Sequence, residues 1–134
     1  MRLQGKIALV TAAGQGIGKA AVLGMVAEGA TVYATDVNAS LLKDYAGVAG
    51  VHTAVLDVMD KTAIQAQVAA LPQIDIVFNC AGFVHNGPIV DTTDDDWNFA
   101  FNLNVRSQFW MIQAVVPKMV AQFKETGRSS SIIN

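Results

Sequence analysis

The sequence predicts a three-layer α/β domain built on a doubly wound parallel sheet, and three observations carry that expectation. Short aliphatic and β-branched runs alternate with helical patterns in the order β-α-β-α-β-α-β, and such alternation demands a parallel sheet with right-handed crossovers and helices on both faces. The first strand passes directly into a turn with three glycines, Gly14, Gly16 and Gly18. A hydrophobic fraction of 52% against 15% charged residues supplies the apolar surface that such a sheet buries.

The first strand, Lys6 to Thr11, is aliphatic and β-branched and too short for a helix. From Ile17 the spacing turns helical, so Thr11-Ala12-Ala13-Gly14-Gln15-Gly16-Ile17-Gly18 is a tight β-to-α turn. Residues without Cβ let a diphosphate approach the backbone there, and the first helical N–H groups favour its charge. The second strand, Thr31 to Asp36, ends in a carboxylate, where a dinucleotide-binding fold places the acid that accepts from ribose hydroxyls.

Asn38-Ala39-Ser40 caps a short helix, Leu41 to Tyr45, closed by Gly47 and Gly50. A third strand covers Val51 to Asp57, and Asp60 caps a helix that Pro72 stops near Leu71. Asp75 to Cys80 is the fourth strand. Thr11, Asp36, Asp57 and Asn79 therefore all fall at carboxyl ends of strands, where open α/β sheets bind their ligands.

Phe83 to Thr93 is a loop, and a long helix is expected from Trp97 to about Lys124. Its apolar stripe is Trp97, Phe101, Val105, Ile112, Val116, Val120 and Phe123, and Pro117 should kink or divide it. Phe109, Trp110, Met111 and Val115 widen that stripe toward a second surface, either deeper packing or a subunit interface. Ile132-Ile133-Asn134 opens a fifth strand, at whose start the sheet is cut. Strand four would then expose an apolar flank, which implies that the natural domain continues or that something covers the edge.

Composition excludes several classes of partner. A formal net charge of −2 with no Lys/Arg cluster leaves no footprint for nucleic acid or an anionic membrane. Cys80 stands alone and the two histidines are isolated, so neither a disulfide nor a metal site is expected. Met1 to Lys6 leads straight into the first strand without a signal peptide, and no run reaches membrane-spanning length. These features fit a cytoplasmic protein.

Taken together, the motifs resemble the N-terminal half of the short-chain dehydrogenase/reductase family over essentially all 134 residues. The family's Thr-Gly-x-x-x-Gly-x-Gly turn stands here as Thr11 to Gly18 with Ala12 at its first glycine, and its Asn-Asn-Ala-Gly as Asn79-Cys80-Ala81-Gly82. Asp57-Val58 matches its Asp-Val pair, and Asn104 its helical asparagine. The Thr-Ala-Ala-x-Gln-Gly-Ile-Gly turn, Phe83-Val84-His85 and Asn102 to Ser107 are similar to the subgroup of cytosolic type 2 3-hydroxybutyrate and 2-keto-3-deoxy-L-fuconate dehydrogenases.

The resemblance implies a Rossmann-type NAD-binding domain over 1–134. Thr11, Gln15, Gly16, Ile17 and Gly18 would serve the pyrophosphate and nicotinamide side, Asp36 the ribose, Asp57 and Val58 the adenine, and Asn79, Ala81 and Gly82 the cleft wall. Asp36 would repel a 2′-phosphate, and no Lys or Arg stands at 12 to 17 or just after 36 to neutralise one, which favours NAD over NADP. Lys19 should point away from the turn.

The implied chemistry is hydride transfer between NAD and the secondary alcohol or ketone of a small hydroxy or keto acid. The family's serine and Tyr-x-x-x-Lys, which follow strand five, are absent, and neither Tyr33 nor Tyr45 substitutes. Of the family's four catalytic residues only Asn104 is present, holding a relay water or bonding to backbone. The expectation is the cofactor-binding half of a homo-oligomeric (dimeric or tetrameric) dehydrogenase, with no turnover from this chain alone. The competing expectations are a catalytically inactive NAD-binding or partner-binding module and, more remotely, another nucleotide-binding α/β protein such as a methyltransferase. His85, on a loop that should overhang the nicotinamide, is either a substrate contact or a solvated side chain.

Overall fold

A computed structural model describes residues 1–134. Five parallel strands, β1 (Ile7–Val10), β2 (Thr31–Asp36), β3 (Val51–Val55), β4 (Ile76–Phe78) and β5 (Ser131–Ile133), form one sheet in the order β3-β2-β1-β4-β5. Helices α1 (Gly16–Ala27), α2 (Ala39–Leu42) and α3 (Lys61–Ala70) lie in the crossovers, followed by α4 (Asp94–Phe101) and α5 (Ser107–Thr126). The three-layer Rossmann-type architecture is as expected, and it belongs to the doubly wound class. No helix is long and apolar enough to cross a membrane.

Alternation along β1 divides the core. Leu9 joins Val77, Ile64, Val68, Met111 and Val115 on one face, under α3 and α5. Ala8 and Val10 join Val22, Val32, Ala34, Leu42 and Tyr45 on the other, under α1 and α2. A strand buried on both faces must be apolar at every position, which is why β1 reads as an unbroken Ile-Ala-Leu-Val run.

Three expectations need correction. Pro117 does not divide the long helix, because α5 runs unbroken through it. Pro117 is exposed, so water can take the carbonyl that its missing N–H leaves free. The interruption falls earlier, as a π-helical segment at Asn102–Arg106 between α4 and α5. The buried stripe is also a different one: Ser107, Met111, Val115 and Met119 face the sheet, whereas Trp97, Phe101, Val105, Val116, Val120 and Phe123 are exposed. Within α5 the buried Met111, Val115 and Met119 run one residue ahead of Ile112, Val116 and Val120 at the same spacing, so periodicity alone does not say which apolar stripe is covered. Finally, β4 has no bare flank. β5 pairs with it along its whole length, Ile76 to Ser131, Val77 to Ile132 and Phe78 to Ile133, and β5 itself is the edge.

Below the sheet, Asp75 ties the chain together from the amino end of β4. Its carboxylate accepts from Ile7 N–H (2.8 Å), Gln73 (2.9 Å), Gln122 (3.2 Å) and both Nε and Nη2 of Arg128 (3.2 and 3.1 Å). Arg128 also donates to the Gly5 carbonyl at 2.9 Å. The entry to β1, the end of α5 and the approach to β5 thus meet on one buried acid.

Candidate dinucleotide site

Strand order reverses at β1, which has β2 on one side and β4 on the other, and this opens a crevice beyond their carboxyl ends. Thr11 is buried there, and its hydroxyl accepts from the N–H groups of Cys80 and Ala81, both at 3.0 Å. Its side chain joins β1 to the segment after β4 and does not line the crevice. Asn79 is committed in the same way: its side chain donates to Asn134 Oδ1 at 2.8 Å and its N–H to the Ile133 carbonyl at 2.9 Å.

The turn itself is set by close packing. A Cβ at Gly18 would stand 2.1 Å from the Ala12 carbonyl oxygen, where only glycine fits, and one at Gly14 would stand 2.5 Å from Leu41 Cβ and 2.9 Å from Asp36 Oδ2, so α2 or Asp36 would have to shift. Gly16 has φ +53° with open space in front of it. Ala12, where the family has glycine, takes φ 47°, in the left-handed region that costs an L-residue about 1 kcal/mol or more.

Helix α1 begins at this turn with no side-chain cap on Gln15 and no acid in its first turn. Its leading N–H groups are left for an anion, with the helix dipole behind them. Asp36 is 7% exposed. Its Oδ2 accepts from Gly14 N–H and its Oδ1 from Asn38 N–H, both at 2.9 Å. Lys19 is spent on Asp44 at 2.6 Å and takes no part in the cleft.

A cleft of about 220 Å³ runs over these groups. Gln15, Asp36, Asp57, Val58, Ala81 and Gly82 line it, as do Ala12, Val37, Leu56 and Leu103. The last three were missed by sequence reasoning, although each adjoins a residue that was singled out. Gly16, Ile17 and Gly18 belong to the adjoining turn and helix start. Asn104 lies in the π segment and binds Phe83 through both ends of its amide: Oδ1 accepts from Phe83 N–H at 2.8 Å, and Nδ2 donates to its carbonyl at 2.7 Å. A Cβ at Gly82 would meet Asn104 Oδ1 at 3.1 Å.

Among the remaining polar side chains, Tyr33 stacks on His52 at 4.9 Å between ring centres. Tyr45 is buried with its hydroxyl on the Ala13 carbonyl, and burial, Asp36 and Asp44 all push its pKa up. Burial pushes the Cys80 thiol up as well. His85 Nδ1 stands 3.6 Å from Asp96, a carboxylate whose hydrogen bonds from Thr93 hold its pKa down. No group of three or more His, Cys, Asp or Glu gathers as a metal site.

A family model described as short chain dehydrogenase matches residues 6–134. The chain belongs to the short-chain dehydrogenase family. It is 47% identical over 133 residues to dehydrogenase/reductase SDR family member 6 of Rattus norvegicus, covering 99% of this chain and 52% of that protein. It is 44% identical over 132 residues to 2-keto-3-deoxy-L-fuconate dehydrogenase of Xanthomonas campestris, covering 98% and 43%. The chain thus spans about half the length of the curated short-chain dehydrogenases it matches. Among solved structures, serine dehydrogenase from Escherichia coli superposes with TM-score 0.85 at 30% identity, covering 96% of this chain and 60% of that one. The 3-ketoacyl-(acyl-carrier-protein) reductase from Brucella melitensis complexed with NADH reaches TM-score 0.91 at 24% identity, covering 97% and 56%, and bears on the fold alone.

Proposed function

We propose that residues 1–134 form the NAD-binding part of a short-chain dehydrogenase that transfers hydride between NAD and the secondary alcohol or ketone of a small hydroxy or keto acid. One observation carries this: Gln15 at the uncapped start of α1 and the carboxylate of Asp36 border one cleft. Each suits a different part of a dinucleotide. The N–H groups of Gln15 to Gly18 receive the pyrophosphate, Asp36 accepts from the ribose hydroxyls, and Asp57 with Val58 borders the adenine.

When bound, the nicotinamide supplies the hydride acceptor or donor; the chain's own residues bind and orient it. Ala81 and Gly82 wall the cleft, and Asn104 holds the segment that follows them. Asp36 favours NAD, because a 2′-phosphate beside that carboxylate would be repelled and no Lys or Arg lines the cleft to offset it. The relative from Xanthomonas campestris is named for a keto acid, which supports the substrate class. Proton transfer would need groups other than these residues, because Tyr33 is stacked on His52 and Tyr45 is bonded to Ala13. The exposed stripe of Trp97, Phe101, Val105, Val116 and Phe123 supports self-association through α4 and α5.

Titration of the purified chain with NADH and NADPH, followed by NADH fluorescence and calorimetry, tests this function. Saturable NADH binding is expected, with NADPH weaker by about tenfold or more, and Asp36→Ala should narrow that gap. No NADH binding, or equal binding of both cofactors unaffected by Asp36→Ala, overturns it.

A further inference from the structure

Tyr45 ends the 3-10 turn Lys43–Tyr45 that follows α2, and neither the cleft lining nor the hydride chemistry uses it. Its ring is 4% exposed and packs with Val10, Val22 and Leu42 in the core. Its hydroxyl donates to the Ala13 carbonyl oxygen at 2.6 Å, across 32 residues of sequence. Tyr45 is the one side chain that donates to a carbonyl of the glycine-bearing turn.

The carbonyl of Ala13 and the N–H of Gly14 belong to a single peptide plane. That N–H donates to Asp36 Oδ2 at 2.9 Å. The Ala13–Gly14 peptide is therefore gripped at both poles, by the Tyr45 hydroxyl on one side and the Asp36 carboxylate on the other. The plane before it is held through Ala13 N–H, which donates to the Thr35 carbonyl at 2.8 Å. These ties matter because Ala12, immediately upstream, sits at φ 47°, a conformation that an alanine leaves readily unless its surroundings hold it.

We propose that Tyr45 is a positioning residue for the dinucleotide: by holding the Ala13–Gly14 peptide it sets the direction of the N–H groups that open α1 and the seat of Asp36. This rests on the cofactor function proposed above and deepens it. The hydroxyl acts through the turn, since Tyr45 itself does not line the cleft. Burial together with Asp36 and Asp44 keeps it protonated, and so a donor, at neutral pH.

The test compares NADH affinity and thermal unfolding for the wild-type chain, Tyr45→Phe, Ala12→Gly and the double variant. Phenylalanine keeps the ring in its core position and removes only the donor. The expected result is a Kd for NADH raised about five- to tenfold in Tyr45→Phe. In the double variant the Kd should return to within about twofold of Ala12→Gly alone, because glycine holds the left-handed conformation unaided. A folded Tyr45→Phe chain that binds NADH like the wild type overturns the positioning role, as does a loss that Ala12→Gly leaves undiminished. If Asp36→Ala weakens NADH while Tyr45→Phe does not, the cofactor function stands and only this inference fails. If the wild-type chain binds no NADH, both fall.

Discussion

The side-chain amide of Asn104 holds both the N–H and the carbonyl of Phe83, at 2.8 and 2.7 Å. A residue in the π segment between α4 and α5 thus anchors the first residue after the Asn79-Cys80-Ala81-Gly82 stretch. Asn104→Ala removes both bonds and should cost about 1–2 kcal/mol. Asn104→Asp keeps the acceptor but turns a carboxylate oxygen toward the Phe83 carbonyl in place of the donor, so it should cost at least as much. Amide exchange at Phe83, read by NMR, should accelerate in Asn104→Ala, which loses the acceptor, and far less in Asn104→Asp, which keeps it; unchanged protection in Asn104→Ala would refute the anchor.

Asp75 makes the fold sensitive to acid. Burial alone would raise its pKa, but the hydrogen bonds from Arg128, the Ile7 N–H and Gln73 outweigh burial and bring it below the usual carboxylate range. A depressed folded pKa means that its contribution is full above the unfolded value of about 3.9 and is lost as pH falls through the lower folded value. Asp75→Asn should destabilise the chain by about 1–3 kcal/mol at neutral pH, since Arg128 and Lys6 lose the charge they face while Arg128 keeps the Gly5 carbonyl. It should also flatten the acid limb of a stability-against-pH curve below about pH 4. A variant whose acid limb matches that of the wild type would contradict this.

Ala12 is the only non-glycine residue with positive φ. Glycine removes the methyl that opposes this conformation, so Ala12→Gly should stabilise the chain by about 0.5–1 kcal/mol despite the greater entropy of its unfolded state. Calorimetric melting checks this, and a lower Tm would show that the turn tolerates the methyl without strain.

Phe109 is 57% exposed on α5, beside Phe101, Val105 and Arg106 in a shallow groove. Phe109→Glu should leave the melting temperature within a few degrees for a single folded chain, because a surface substitution there removes no core contact. It should also shift sedimentation from dimer or larger to monomer. A wild-type chain that is already monomeric at tens of micromolar would set aside the proposed self-association.

Much of this protein was legible without coordinates, for a physical reason: strands buried on both faces must be apolar throughout, and backbone held against helix or ligand must be glycine. Those demands act on neighbours in sequence, so the strand order in time, the turn from Thr11 to Gly18, Asp36 and Asp57 all stood out in the chain itself. Tertiary packing alone decided which side of α5 meets the core. Both stripes of α5 are apolar and share one spacing, so periodicity does not say which of them packs inward. It also decided the roles of side chains whose partners lie far along the chain, as with Tyr45 on Ala13, Asp75 on Arg128 and Asn104 on Phe83. Hydrogen bonds of this kind depend on distance and angle, and those are set only once the layers have packed.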